Sequence, residues 1–178
     1  MYYGKGNQMD AVSTPAQNHR LNDKWDLFYH LPQDKNWGLD SYVSINKSID
    51  NMENIIKLNE SIHDNVIKNC MMFVMKTGIT PMWEDPKNRN GGCFSYKVSN
   101  KYVATIWKTL FYLLAGSNIC TKDEHNQFIN GITISPKKNF CIIKIWLCVA
   151  HLQDPNIITE IPNLSTQGCL FKKHEPEY

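Results

Sequence analysis

Between Pro81 and Gly92 this chain can be neither helix nor strand. Pro81 and Pro86 bracket Met82-Trp83-Glu84-Asp85, and Asn88, Asn90 and the pair Gly91-Gly92 follow. Proline fixes φ and removes a backbone donor, while Asn and Gly favour turns, so the stretch reads as a surface loop. Its flanks are of the opposite kind. Cys70 to Lys76 is an apolar run, and Cys93 to Val98 returns with Phe94, Tyr96 and Val98 at alternate positions. The spacing predicts a long antiparallel connection held by strands at both ends. It carries a large aromatic beside a carboxylate.

A tryptophan in a loop either plugs a gap beneath it or walls a ligand site. A second loop, Asp34-Lys35-Asn36-Trp37-Gly38, presents another Trp among polar residues. Two such rings can form the walls of one slot. A planar cation between two indoles gains about 0.5–2 kcal/mol of cation–π attraction at each face. Glu84, next to one wall, can accept from N–H groups on the edge of a stacked base, a pairing worth roughly 1.5–3 kcal/mol. N7-methylguanine, the head group of the messenger RNA cap, is planar, cationic and has adjacent N–H donors on one edge.

The rest of the chain supplies a frame. Residues 1–18 are polar and aperiodic and read as a disordered arm before one domain, 19–178. Trp25, Leu27 and Tyr29 fall on one face of a strand, and Tyr42, Val43 and Ile45 mark another. Ser48 or Asp50 is placed to cap a helix from Asn51 to about Ile62, with Met52, Ile55, Ile56 and Ile62 at helical spacing. Lys101 to Gly116 is the clearest helix. Val103, Ile106, Trp107, Leu110, Phe111 and Leu114 form its apolar stripe, and Gly116 is placed to end it. Phe128 to Ile134 and Ile142 to Cys148 read as strands around a turn at Ser135-Pro136-Lys137-Lys138-Asn139. Asp154 to Pro162 is too short and Pro-bounded for much helix, and Gly168 to His174 reads as a last edge strand. Several strands with two long amphipathic segments predict an α+β domain.

Composition narrows the function. A formal charge of +2 excludes a general coater of nucleic acid and suits a protein that grips one end of an RNA. No run of 18 apolar residues indicates a membrane span, and the first residues lack a secretory signal pattern. Six cysteines without a C-x-x-C pair read as reduced thiols of an intracellular, cytoplasmic protein. No Gly-rich phosphate loop, metal-ligand cluster or nucleophile–base arrangement is visible, so the chain reads as a binding module without cofactor or metal rather than an enzyme. With 17 Lys against 2 Arg and many Asn and Ile, its codon bias fits an AT-rich genome, that of a protist or a large DNA virus.

Gly78-Ile79-Thr80-Pro81-Met82-Trp83-Glu84-Asp85, with Lys87-Asn88 and Gly91-Gly92, resembles the eukaryotic translation initiation factor 4E family. His19 with Leu21 and Trp25, the loop Trp37, Trp107 and Ile145-Trp146 support the resemblance, from about His19 to Trp146 and more loosely to His174. It implies a curved antiparallel sheet of about eight strands with helices on its convex back. It implies a cap-base site of Trp37, Trp83, Glu84 and Trp146, the last at the pocket floor. Phosphate or RNA contacts fall on Lys137 and Lys138, with Lys172, Lys173 or His174 substituting for a C-terminal loop that the family has and this chain mostly lacks. The family's Arg at the position of Cys93 is absent.

A partner surface for a 4G-type scaffold would comprise His19, Leu21, Ile56, Thr109 and Tyr112. Ile56 stands where the family has a surface Trp, and Thr109 where it has an acid. The resemblance thus implies a monomeric binder of capped messenger RNA that acts in initiation. The two departures leave open a homologue that sequesters capped messages without the usual scaffold.

Overall fold

The computed structural model of the chain describes residues 18–176. The expected arm, 1–18, lies outside the described residues except for its last member. The strands are β1 (Arg20–His30), β2 (Val43–Asn51), β3 (Met71–Lys76), β4 (Gly92–Ser99), β5 (Ile129–Pro136), β6 (Phe140–Leu147) and β7 (Leu170–Lys173). The helices are α1 (Met52–Ser61), α2 (Asp64–Asn69), α3 (Val103–Ala115) and the single turn α4 (Asp123–Asn126). The strands form one curved sheet in the order β2-β1-β3-β5-β6-β4-β7, with every neighbour pair antiparallel. It has seven strands among the described residues, against the eight or so expected. No helix among the described residues is long and apolar enough to cross a membrane.

Strand alternation divides the molecule into two sides. One set of side chains, including Trp25, Leu27, Met72, Val74, Phe94, Tyr96, Ile132, Ile143 and Ile145, packs with Ile55, Ile67, Trp107 and Phe111 of the helices. That is the main core, and α3 lies along it. The intervening residues face the other way. Phe73, Met75, Ile79, Cys93 and Trp146 form a smaller cluster there, with Phe28, Tyr42, Met71 and Trp83 against it. Among the described residues no helical side chain joins that cluster.

Two local expectations are corrected, and a third holds with a different detail of geometry. The cap of α1 is Asn51, whose side chain accepts from the Asn54 N–H at 2.9 Å. Ser48 and Asp50 do not serve, because β2 runs on to Asn51 and α1 starts only at Met52, so Asn51 is the flanking residue. Ile56 turns away from the core and is 46% exposed, whereas Ile55 is fully buried. Gly116 does end α3, but at φ −81°; the left-handed residue is Ser117, at φ 55°. The Asn118 N–H reaches back to Leu113 O and the Ser117 N–H to Leu114 O, which satisfies the last carbonyls.

Candidate functional site

The loop after β3 is fixed by its own polar groups. One oxygen of Asp85 accepts from the Thr80 N–H (2.7 Å) and the Thr80 hydroxyl (2.6 Å), and the other accepts from the Lys87 N–H (2.8 Å). Burial raises the Asp85 pKa, but these donors outweigh it and hold the carboxyl below its ordinary range. Asn88 is fully buried, and its amide donates to Thr80 O and Met82 O. Asn130 of β5 donates to Lys87 O and to the Asn88 side chain. The whole loop is thereby tied to the sheet. Its glycine pair serves close approach: a Cβ on Gly91 would lie 1.8 Å from Leu147 O, and one on Gly92 2.4 Å from the Phe171 ring.

Trp37 is held differently. The Asp34 side chain accepts from the Asn36 N–H and the Asn36 side chain from the Gly38 N–H, both at 2.8 Å, a pair of successive Asx turns. The ring stacks on His30, with centroids 4.2 Å apart and planes 3° apart. His30 is fully buried, its Nε2 lies 2.8 Å from Asn36 O, and Tyr42 meets its ring edge-on. Trp37 itself stays 51% exposed. A half-exposed indole with its inner face already stacked offers its outer face to a ligand.

The two loops and the uncovered side of the sheet enclose a cavity of about 520 Å³. Trp37, Trp83, Glu84 and Trp146 all line it, with Tyr42, Met71 and Phe73 below. Trp146 is buried at the floor, and its Nε1–H donates to Thr133 Oγ1 at 3.2 Å. The volume is that of a small-ligand pocket, apolar in its walls with one carboxylate for orientation. Another cavity, of about 420 Å³, opens beside Tyr96 and Glu160, and Tyr96 is the one aromatic ring in its lining.

The other expected contacts fall elsewhere. Lys137 and Lys138 sit exposed on the β5–β6 turn and do not line the cavity. Lys173 pairs with Gly92 and so points to the helix-bearing side of the sheet. His174 is buried, because the chain turns inward after β7 and the His174 N–H bonds Gly91 O at 3.0 Å. Its ring lies nearly parallel to Trp83 at 5.6 Å and touches Trp146 at 4.8 Å, with Nδ1 2.7 Å from Asn88 O. Burial, aided by the positive charge of Lys144, lowers its pKa below the ordinary histidine range despite the Asn88 carbonyl and Glu84. It packs against Trp83 and Trp146.

Two lysines that do reach the site are Lys144, in the cavity lining, and Lys172, over Trp83. Lys144 was legible in principle, being two residues from Trp146 on one strand. His30 as the backing of Trp37 had no signal in the sequence.

His19, Leu21, Ile56, Thr109 and Tyr112 lie on β1, α1 and α3, or just before β1, away from the slot. His19 Nδ1 meets the Glu53 carboxylate at 2.6 Å, and the Tyr112 hydroxyl donates to Glu60. Exposed Ile56 lies between those acids on α1.

Comparison with known proteins gives a consistent picture. The family described as eukaryotic initiation factor 4E matches residues 20–174. A eukaryotic translation initiation factor 4E homolog of Acanthamoeba polyphaga mimivirus is 36% identical over 63 residues, 35% of this chain and 23% of that protein. Eukaryotic translation initiation factor 4E of Xenopus laevis is 25% identical over 159 residues, 84% of this chain and 71% of that protein. The chain's match thus spans about a quarter of the viral relative. Among solved structures, C. elegans eIF4E-3, in complex with the 4E-binding protein Mextli and a cap analog, superposes with a TM-score of 0.66 at 26% identity. That match covers 75% of this chain and 76% of the other. Schistosome eIF4E, complexed with m7GpppG and 4E-BP, gives 0.66 at 26%, covering 76% and 75%.

Proposed function

Given that the chain belongs to the eukaryotic initiation factor 4E family, we propose that it binds the 7-methylguanosine cap of messenger RNA and acts in translation initiation, in the cytoplasm. The observation that carries this is one cavity lined by two loop tryptophans, an adjacent glutamate and a tryptophan floor. Trp37 and Trp83 stack the methylated base, and Glu84 accepts from its Watson–Crick edge. Trp146 closes the bottom of the slot. Methylation supplies the positive charge, so the protein discriminates against unmethylated guanine by about 2–4 kcal/mol, two stacking faces at the upper range of that interaction. No bond is made or broken: the site binds and does not catalyse.

The test is retention on immobilised 7-methyl-GTP. The protein is expected to bind the resin, to elute with free 7-methyl-GTP and to stay bound in the same concentration of GTP. Elution by both nucleotides alike would overturn the reading.

A second reading concerns the partner. His19 and Tyr112 are already engaged by Glu53 and Glu60, and Ile56 offers less apolar area than an indole. These features favour a homologue that binds capped messages but engages a divergent partner, or none, in place of the usual scaffold. Capture of an ordinary Tyr-x-x-x-x-Leu scaffold peptide by this chain would contradict that version and leave cap binding untouched.

A further inference from the structure

His30 holds Trp37 at two points. Its ring lies flat under the indole, and its Nε2 meets Asn36 O, the carbonyl of the peptide bond that leads into Trp37. It closes β1 opposite Met71 of β3, so it stands on the slot side of the sheet, beneath the loop and outside the cavity lining. A carbonyl only accepts, so Nε2 carries the hydrogen and Nδ1 is the basic nitrogen. Nδ1 is sealed from water and has no hydrogen-bond partner.

A second proton on this ring goes to Nδ1, where nothing receives a positive charge. Met71 is apolar, and Tyr42 meets the ring edge-on. In the Trp37 loop, Asp34 accepts from the Asn36 N–H and Asp40 from the Asn36 side chain. Lys35 of that loop has the sign of an imidazolium. Glu84 and Lys144 line the cavity beyond the indole, and His174 stands across it behind Trp83. Among the described residues no carboxylate lies within ion-pair distance of His30. What faces an imidazolium here is the inner side of the Trp37 indole, whose outer side the methylated base needs. Held there, the imidazolium and the base are two cations on opposite faces of one ring; they compete for its electrons and repel each other. If the imidazolium leaves for water instead, the stack and the Asn36 bond go with it. Both responses weaken the slot for a cationic base.

We propose that His30 is a positioning residue of the slot whose protonation weakens cap binding: neutral, it holds Trp37 for the methylated base, and charged, it works against that base. This rests on the slot being the methylguanine site. An imidazole with a merely structural role would, when replaced, cost the same affinity at every pH.

The test measures affinities for 7-methyl-GTP and GTP at pH 7 and pH 5.5 in the unaltered protein, His30→Phe, His30→Gln and His174→Phe. The readout is the ratio of the two affinities, in which titration of the phosphates cancels; titration of the base is common to all four proteins. His30→Phe keeps a flat ring under the indole, His30→Gln keeps a donor for Asn36 O, and neither takes a proton. In the unaltered protein the preference for the methylated nucleotide is expected to fall about threefold or more between pH 7 and pH 5.5. In both His30 variants it is expected to change by less than about twofold, whatever its level at pH 7. His174→Phe is expected to keep the fall. No fall in the unaltered protein, an equal fall in either His30 variant that folds, or a profile flattened by His174→Phe and not by replacing His30 would each overturn the proposal. Absence of any preference in the unaltered protein at pH 7 would overturn instead the base reading beneath it.

Discussion

Each wall of the slot is an indole backed by a buried histidine. Trp37 lies on His30, and Trp83 on His174. In each histidine one ring nitrogen meets a backbone carbonyl and the other is sealed without a partner. A carbonyl only accepts, so the bonded nitrogen carries the hydrogen. For His174 this has a consequence in pH. Its folded pKa is depressed, chiefly by burial, while the unfolded chain protonates near the ordinary value of about 6.5. The unfolded state then binds more protons, and stability rises with pH through that interval. The contribution is whole above the unfolded value and is lost as pH falls from it toward the folded one. Urea unfolding at pH 8 and pH 5.5 should show the unaltered protein losing more stability over this range than His174→Phe. Equal losses would contradict the burial account. Trp83 and Glu84 are legible in the sequence because a Trp-carboxylate pair in a Pro- and Gly-rich loop asks for a reason. Lys173 and His174 are not, because side-chain direction near a chain end depends on the ladder. Only the pairing of β7 with β4 reveals that Lys172 faces the slot and Lys173 does not.

At the scale of elements, alternation and helical spacing identify the six strands up to β6 and the two longest helices. The exposed faces are harder. Val43 and Ile45 look like core residues in sequence but are exposed, since β2 is an edge strand. Gly91 and Gly92 look like turn residues, yet the contacts that demand them are the Leu147 carbonyl and the Phe171 ring. Those contacts join residues more than fifty positions apart, and no local pattern encodes them. The end of α3 is the reverse case. Its glycine marks the end of the helix correctly, but stands one position before the residue that needs it. Ser117 holds φ 55°, a region costing a residue with a Cβ about 1 kcal/mol. Its hydroxyl accepts from the Asn22 side chain at 3.3 Å, a long and exposed bond. Ser117→Gly should therefore stabilise the protein by roughly 0.5–1 kcal/mol. A midpoint in urea that falls instead would show that the Asn22 bond matters more than the backbone.

The whole molecule is a sheet with two separate jobs. Helices cover one side, leave Ile56 outward between Glu53 and Glu60, and bury Trp25 and Trp107 in the main core. The other side carries no helix at its centre among the described residues and holds Trp37, Trp83 and Trp146 around one cavity. The slot and the exposed faces of α1 and α3 thus lie on opposite sides of the sheet. The division is readable from alternation along β3 and β6; which side stays uncovered is not, because that depends on where the helices dock. It also places three of the five tryptophans in the proposed site. Intrinsic fluorescence therefore reports most directly on the central claim, that the slot reads the methyl-conferred charge of guanine. Titration with 7-methyl-GTP should quench a large part of the emission. GTP should need a concentration roughly thirtyfold higher or more, corresponding to at least about 2 kcal/mol of cation–π discrimination. Equal quenching by the two nucleotides, or none by either, would contradict the account.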